Sequence, residues 1–378
     1  MSISLMLNNA VSALQANQSA LSVTANNIAN VNTPDYARRE VHLGTRAAGD
    51  MLAGVEVAEV RRIVDEFLSK EVLTASAGTN FYETKQSYHD RLQSMIGSPD
   101  DAGSLAGRLT NLIAQFNEVS VDPTSLPRRA DLLSDLQQLA DTISGLASNL
   151  QQLRTDADLQ FREKVATVNS LTSEIFDLNA KISTSVLKGS EPTALFDRRD
   201  IALKELGGLL DITISAEASG RVNVSTTSGI SLVGAIQYVM KYDSAGLATP
   251  QTVFPRVTLH RVDAADGSVD PNGLELNHHL RGGKLAALLQ LRDFDMVEVA
   301  KSLGALSSTV IDALNGVHND NISLPPPNSL TGVNTGLPAG DNHLFVGKTT
   351  LAVVGADGAL VKRVDVDFTA GTLSVNGG

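Results

Sequence analysis

The chain has 378 residues, 42 of them acidic and 30 basic, with a formal net charge of −12 and neither cysteine nor tryptophan. The length supports two or three domains, and the missing cysteine excludes disulfides, thiolate catalysis and cysteine-ligated metals. The negative charge argues against nucleic acid or an anionic membrane as the main partner, and no run approaches the ~20 apolar residues that span a bilayer.

The first 36 residues are the most unusual stretch. Leu7, Leu14, Leu21 and Ile28 recur every seven residues, which places them on one stripe of a helix that winds against a partner. Three residues beyond each stand Ala10, Asn17, Thr24 and Val31, in place of the second large apolar row of an autonomous coiled coil. No Asp, Glu, Lys or Arg precedes Asp35, although a solvated helix normally carries charge. This reads as a segment loosely ordered in the single chain that becomes helical when many copies pack together, where a charge would meet another subunit. The alternative is an amphipathic helix docked on its own domain. A signal peptide needs a basic start and an unbroken apolar core, and Asn8, Asn9, Gln15, Asn17 and Gln18 interrupt this one. The helix is predicted to stop near Asn30, before a turn through Pro34-Asp35.

Alternation from Val41 to Val60, punctuated by Gly44, Gly49 and Gly54, predicts short extended pieces. A helical pattern follows from Arg62, with Val64, Phe67, Leu68, Val72, Leu92, Met95 and Ile96 as its apolar face, ending at Gly97-Ser98-Pro99. A second helix carries Leu105, Leu109, Leu112, Ile113, Phe116 and Val119 and breaks at Asp122-Pro123 and Pro127. The third is the longest. Leu132, Leu136, Leu139, Ile143, Leu146, Leu150, Leu153 and Ala157 keep coiled-coil spacing, and Phe161, Val165, Val168, Ile175 and Ile182 continue the stripe. A single rod of about 55 residues is predicted, on the order of 80 Å.

After Gly189-Ser190-Glu191-Pro192 a short helix holds Leu195, Phe196, Ile201, Leu203 and Leu206, and its Asp197-Arg198-Arg199-Asp200 run is expected to pair within itself. From Asp211 the period becomes two. Ile212–Ile214, Val222–Val224, Leu232-Val233, Tyr238–Met240, Val257–Leu259 and Leu274–Leu276 read as short strands of an inserted β domain. Gly282-Gly283 opens a further long helix with Leu285, Leu288, Leu289, Leu303, Leu306, Val310, Leu314 and Val317 on its apolar side. Past Pro325-Pro326-Pro327, strand-like sequence returns at Leu344–Val346, Leu351–Val354, Leu360–Phe368 and Leu373–Val375.

Chemistry-bearing motifs are weak. Gly347-Lys348-Thr349 is the tail of a phosphate-binding loop, but position 342 is Asn and the following sequence reads as strand where a helix must begin. His278-His279 is the adjacent histidine pair, whose side chains would point apart on a strand, and no cysteine assists. Asp197 and Asp200 read as ion-pair partners of the intervening arginines, not as an acid-base pair.

The run Asn27-Ile28-Ala29-Asn30-Val31-Asn32-Thr33-Pro34-Asp35-Tyr36, preceded by Ser12-Ala13-Leu14 and Ser19-Ala20-Leu21, resembles the N-terminal signature of the flagellar axial proteins: rod, hook and hook-associated proteins. Its motif residues here are Asn27, Ile28, Asn30, Asn32, Thr33, Pro34 and Tyr36. Val60 to Leu68, Leu195 to Asp200 and Gly282 to Asp293 bring the resemblance nearest to the hook-associated branch that joins hook to filament, over roughly residues 1 to 320. The resemblance implies a non-enzymatic structural protein of the bacterial flagellum, needed for filament assembly and motility. It implies type III export without a cleaved signal to an extracellular position, and no cofactor. The implied partners are further copies of itself, the hook protein, the second hook-associated protein (FlgL-like) and an export chaperone (FlgN-like). Two departures stand out. The family turn usually has Gly where Asp35 stands, so a type I turn is expected. Such chains also end in a helix that pairs with the N-terminal one, whereas this sequence stops at Val375-Asn376-Gly377-Gly378 in strand-like text. It therefore reads as part of a longer chain, expected to stay monomeric, with the chaperone site in the missing C-terminus.

The fold class expected is multidomain α+β: an elongated antiparallel helical bundle with inserted β-rich domains and an N-terminal assembly helix. The boundaries are 1–45 for the axial segment, 46–208 plus 282–320 for a discontinuous helical rod, 209–281 for the β insert and 321–378 for a second, incomplete β-rich domain. The assembly interface is assigned to Leu7, Leu14, Leu21 and Ile28. The alternatives are a rod or hook subunit, or a secreted enzyme carried on an axial scaffold, which a deep pocket with clustered carboxylates or histidines would reveal.

Overall fold

The computed structural model describes residues 3–48, 51–188, 192–263, 265–320, 345–355 and 359–377. Helix α1 (Ile3–Ala29) leads into strands β1 (Arg39–Ala48) and β2 (Met51–Arg62), followed by helices α2 (Glu66–Ile96), α3 (Leu105–Val121), α4 (Leu126–Leu187) and α5 (Thr193–Leu209). Strands β3 (Ile212–Ala216), β4 (Val222–Thr226), β5 (Ser231–Val233), β6 (Tyr238–Lys241), β7 (Thr258–Arg261) and β8 (Leu274–Glu275) come next. A 3-10 turn (Asn277–His279), helix α6 (Gly283–Gln290), a π-helical turn (Leu291–Asp295) and helix α7 (Met296–Asp320) precede strands β9 (Lys348–Val354), β10 (Leu360–Asp367) and β11 (Thr372–Gly377). The chain is a multidomain α+β protein. It divides into one unit of Met1–Met95 with Asn149–Val297 and another of Ile96–Ser148 with Glu298–Gly378.

The core of the first unit is the C-terminal part of α4. Leu153, Ala157, Phe161, Val168, Ile175 and Ile182 are fully shielded there, each large side chain contributing about 1.5–3 kcal/mol of apolar burial. Helix α2 lies alongside, with Gln160 Nε2 donating to the Tyr88 hydroxyl at 2.9 Å and Arg91 paired to Asp156 at 2.6 Å. Burial, reinforced by the Asp156 charge, pushes the Tyr88 hydroxyl up to about 12.

Polar residues are buried on α4 as well, and each is satisfied. Asp158 accepts from Arg292 at 2.8 Å, from the Ala245 amide at 2.8 Å and from the Tyr242 hydroxyl. Arg292 enters from the π-helical turn, stacks over the Phe254 ring at 4.2 Å and also grips Asp293. Burial and the hydrogen bond to Asp158 raise the Tyr242 hydroxyl well above its ordinary value. This buried cluster joins α4 to the segment after β6.

Two asparagines of α4 fasten the β insert. Asn179 donates to Val222 O at 2.8 Å and accepts from Val222 N at 3.1 Å. Asn169 clasps Met240 in the same way, 2.8 Å to both groups. Each amide thus satisfies both backbone groups of one strand residue. The insert consists of two antiparallel three-stranded sheets, β3-β4-β5 and β6-β7-β8, in register Ile214↔Val224 and Met240↔Leu259.

In the second unit Ser104 caps α3, its Oγ accepting from Gly107 N at 3.0 Å. Arg128 of α4 donates to the Glu118 carbonyl of α3 at 2.8 Å. Strands β9, β10 and β11 form an antiparallel meander in which Val364 faces Leu351 on one side and Val375 on the other.

Several expectations are corrected. Pro127 does not break a helix; it sits in the first turn of α4, where its missing N–H has no intrahelical acceptor to serve, so α4 reaches 62 residues. Helix α2 starts at Glu66, because β2 keeps Arg61 and Arg62 in register with Glu40 and Arg39 and Asp65 accepts the Leu68 amide at 3.0 Å. Of the expected apolar face of α2, Leu92 is buried while Val64, Phe67, Leu68, Val72, Met95 and Ile96 are exposed; Leu73, Ala77 and Tyr88 complete the buried side. His278-His279 lies in the 3-10 turn instead of a strand. Phe345 and Val346 precede β9 instead of forming a strand; Leu344, like Pro325-Pro326-Pro327, lies outside the described residues.

Candidate assembly surface

Helix α1 packs on the β1–β2 hairpin through its small residues. Ser12 and Ala16 are buried, and Ser12 Oγ donates to Asn9 O at 2.9 Å while accepting from Val55 N at 3.2 Å. The approach is close enough that a Cβ at Gly54 would stand 2.2 Å from Ser12 Oγ, and Gly54 itself has φ +127°, a backbone that glycine adopts without penalty. The expectation of a segment loosely ordered in the single chain does not hold. α1 is continuous from Ile3 to Ala29, because the hairpin offers its small-residue face a docking site.

The large apolar residues point the other way. Leu7 is 65%, Leu14 70%, Leu21 71% and Ile28 68% exposed, with Ile3 and Val31 exposed beside them. No charged side chain accompanies them before Asp35, so the stripe is apolar and its margins are Asn, Gln, Ser and Thr.

The motif residues that follow build the join between α1 and the hairpin. Asn27 Nδ2 donates to Arg39 O at 2.8 Å, and its Oδ1 accepts from Arg39 N and from the Tyr36 hydroxyl, both at 3.0 Å. Arg39 opens β1, so Asn27 plays the part of a neighbouring strand. Asn30 Nδ2 donates to Asn26 O at 2.9 Å, and Thr33 returns to Asn30 through its amide at 2.9 Å and its hydroxyl at 3.2 Å. Asn32 and Pro34 are exposed. Asp35 adopts φ +63°, not the type I turn expected. Aspartate tolerates this left-handed conformation better than most residues, and Lys204 of α5 holds its carboxylate at 2.7 Å.

The Asp197-to-Asp200 run does not pair within itself. Asp197 binds Arg39 at 2.7 Å and Arg62 at 2.9 Å, and Asp200 binds Arg62 at 2.5 Å. Arg39 and Arg62 face each other across the hairpin, an unfavourable like-charge pair that the two aspartates of α5 neutralise. Arg198 goes to Glu174 at 2.6 Å. Arg199 is buried and donates to Gly220 O at 2.6 Å, with burial lowering its basicity. Sequence reasoning missed this latch because its members lie 138 and 158 residues apart. The small-residue face of α1 was legible in principle, as Ser12, Ala16 and Ala20 recur every four positions.

The geometry defines a class: a helical protein that presents an uncharged apolar stripe on a helix docked by its opposite face. Residues 7–36 match the family profile of the flagella basal body rod protein. Residues 89–332 match that of the flagellar hook-associated protein FlgK helical domain, more than half of the chain, and the chain belongs to the FlgK family. Flagellar hook-associated protein 1 of Bacillus subtilis is 29% identical over 229 residues, 57% of this chain and 45% of that protein. Its namesake from Salmonella typhimurium is 27% identical over 326 residues, 84% of this chain and 57% of that protein. The chain spans about half the length of these relatives. The solved structure of the flagellar hook junction protein FlgK from Burkholderia pseudomallei shares the fold with a TM-score of 0.58 at 23% identity, covering 82% of this chain and 57% of that one.

Proposed function

We propose that the chain is a structural subunit of the bacterial flagellum at the junction of hook and filament, working by assembly and not by turnover. The observation that carries this is the exposed, uncharged stripe of Leu7, Leu14, Leu21 and Ile28 on a helix whose other face is already docked, within a chain of the FlgK family. Covering that stripe with neighbouring copies removes apolar area from water only in the assembly. Hook protein on one side, the second hook-associated protein on the other and an export chaperone are the further partners. Export proceeds through the flagellar apparatus without a cleaved signal, to an extracellular position. A rod or hook subunit is less well supported, because the profile match over 89–332 is to the hook-associated helical domain.

The test is electron microscopy of flagella from cells complemented with the full-length gene. Leu14→Asp or Leu21→Asp should leave the purified chain folded with an unchanged circular dichroism melt, yet yield bare hooks. Normal filaments from these variants would sink the interface assignment, and missing hooks would favour a rod or hook component.

A further inference from the structure

We propose that the groove between the start of α2, helix α5 and the β3–β4 hairpin docks an acidic amphipathic helical segment of another protein chain. The groove encloses about 870 Å³, within the range of specific binding clefts. Its apolar lining includes Leu68, Val72 and Ile214. Leu68 and Val72 are 59% and 46% exposed and stand one helical turn apart, forming a ridge against which another helix can set residues spaced by three and four.

Charge selects the occupant. Among the carboxylates of the groove, Asp35 is held by Lys204 and Asp200 by Arg62, and Glu217 accepts from Asn223 and Ser219. Those two donors are neutral, so Glu217 keeps its charge beside Glu66, the other carboxylate of the lining. Against these two anions stand Arg61, Lys70 and Arg221, none with a salt bridge among the described residues. On a chain of net charge −12, an apolar groove whose lining carries six cationic side chains (Arg61, Arg62, Lys70, Arg199, Lys204 and Arg221) against four carboxylates is a local reversal of sign. Aliphatic anchors flanked by Glu or Asp satisfy both features, and the cations steer their approach. A nucleic acid would answer the cations but leave the aliphatic ridge in water.

The experiment uses the 378-residue chain and a fluorescent helical peptide of about five turns, with Leu at positions spaced by three and four and Glu on both flanks, followed by anisotropy. Saturable binding is expected, weakened at least about tenfold by Arg61→Glu with Lys70→Glu, by Leu68→Ser, and by raising salt. These positions are exposed, so circular dichroism of the variants should match the parent. The proposal is overturned if the peptide does not bind, if a Lys-flanked version or a single-stranded oligonucleotide binds as well, or if the substitutions leave affinity unchanged. It is equally overturned if sedimentation without peptide shows them dissociating a dimer, since the occupant would then be a second copy.

Discussion

Helix α1 and the middle of α4 carry similar apolar rhythms and use them in opposite ways. Between Leu150 and Ile182, α4 turns its large side chains into its own unit, where Leu153, Phe161, Val168 and Ile175 are sealed from water. α1 buries Ser12 and Ala16 and turns Leu7, Leu14, Leu21 and Ile28 outward. A periodic stripe therefore states which face is apolar, but not whether the same chain covers it. Where the covering layer is intramolecular, the stripe stabilises the fold; where it is absent, the stripe is available to something else.

The contrast is broken most sharply by truncating one residue from each stripe. Phe161→Ala removes a ring with 0% exposure and should cost about 3–5 kcal/mol in urea unfolding, while Leu21→Ala should stay within about 0.5 kcal/mol of the parent. Comparable losses at both positions would mean that α1 draws its stability from the stripe after all. Next in size is Arg292→Met, which leaves the Asp158 carboxylate buried without its cation and should destabilise by about 3 kcal/mol. Adding Asp158→Asn should recover part of that loss; a strictly additive double variant would show that the two do not act as a pair.

The smallest effect sharpens the account of how α1 is mounted. Asn27→Ala deletes the clasp on Arg39 and should cost about 1–2 kcal/mol, expressed locally as faster hydrogen exchange at the Arg39 amide and the start of β1. Unchanged exchange there would remove Asn27 from the join. Thr24→Ala, on the exposed side of the same helix, is the matched control.

Much of the secondary structure was legible because it rests on local rules. The Asn-rich end of α1 near Asn30, the strands between Ile212 and Glu275, and the long α4 follow from turn chemistry, period-two alternation and period-3.5 spacing. Errors fell where a local signal has two meanings. Proline reads as a breaker and also as a first-turn residue, which misplaced the start of α4 at Pro127. Val64, Phe67, Leu68 and Val72 read as a core face, yet Leu73 and Ala77 pack inward and leave them lining the groove or exposed. Asp35 read as a poor substitute for glycine, yet Lys204, distant in the chain, holds it in the left-handed conformation.

By itself the sequence determined the uncharged stripe of the first helix, the motif from Asn27 to Tyr36, and the succession of helices and short strands, because each depends on residues a few positions apart. Only the tertiary structure decided that α1 lies with its small residues on the hairpin, and that Asn27, Asn169 and Asn179 each clasp one strand residue. It alone brought Asp197 to Arg39 and Arg62, and Asp158 to Arg292. These contacts join residues up to 158 positions apart, and no periodicity encodes a partner at that separation: Asn and Asp satisfy their hydrogen bonds with whatever backbone or guanidinium the packed chain delivers.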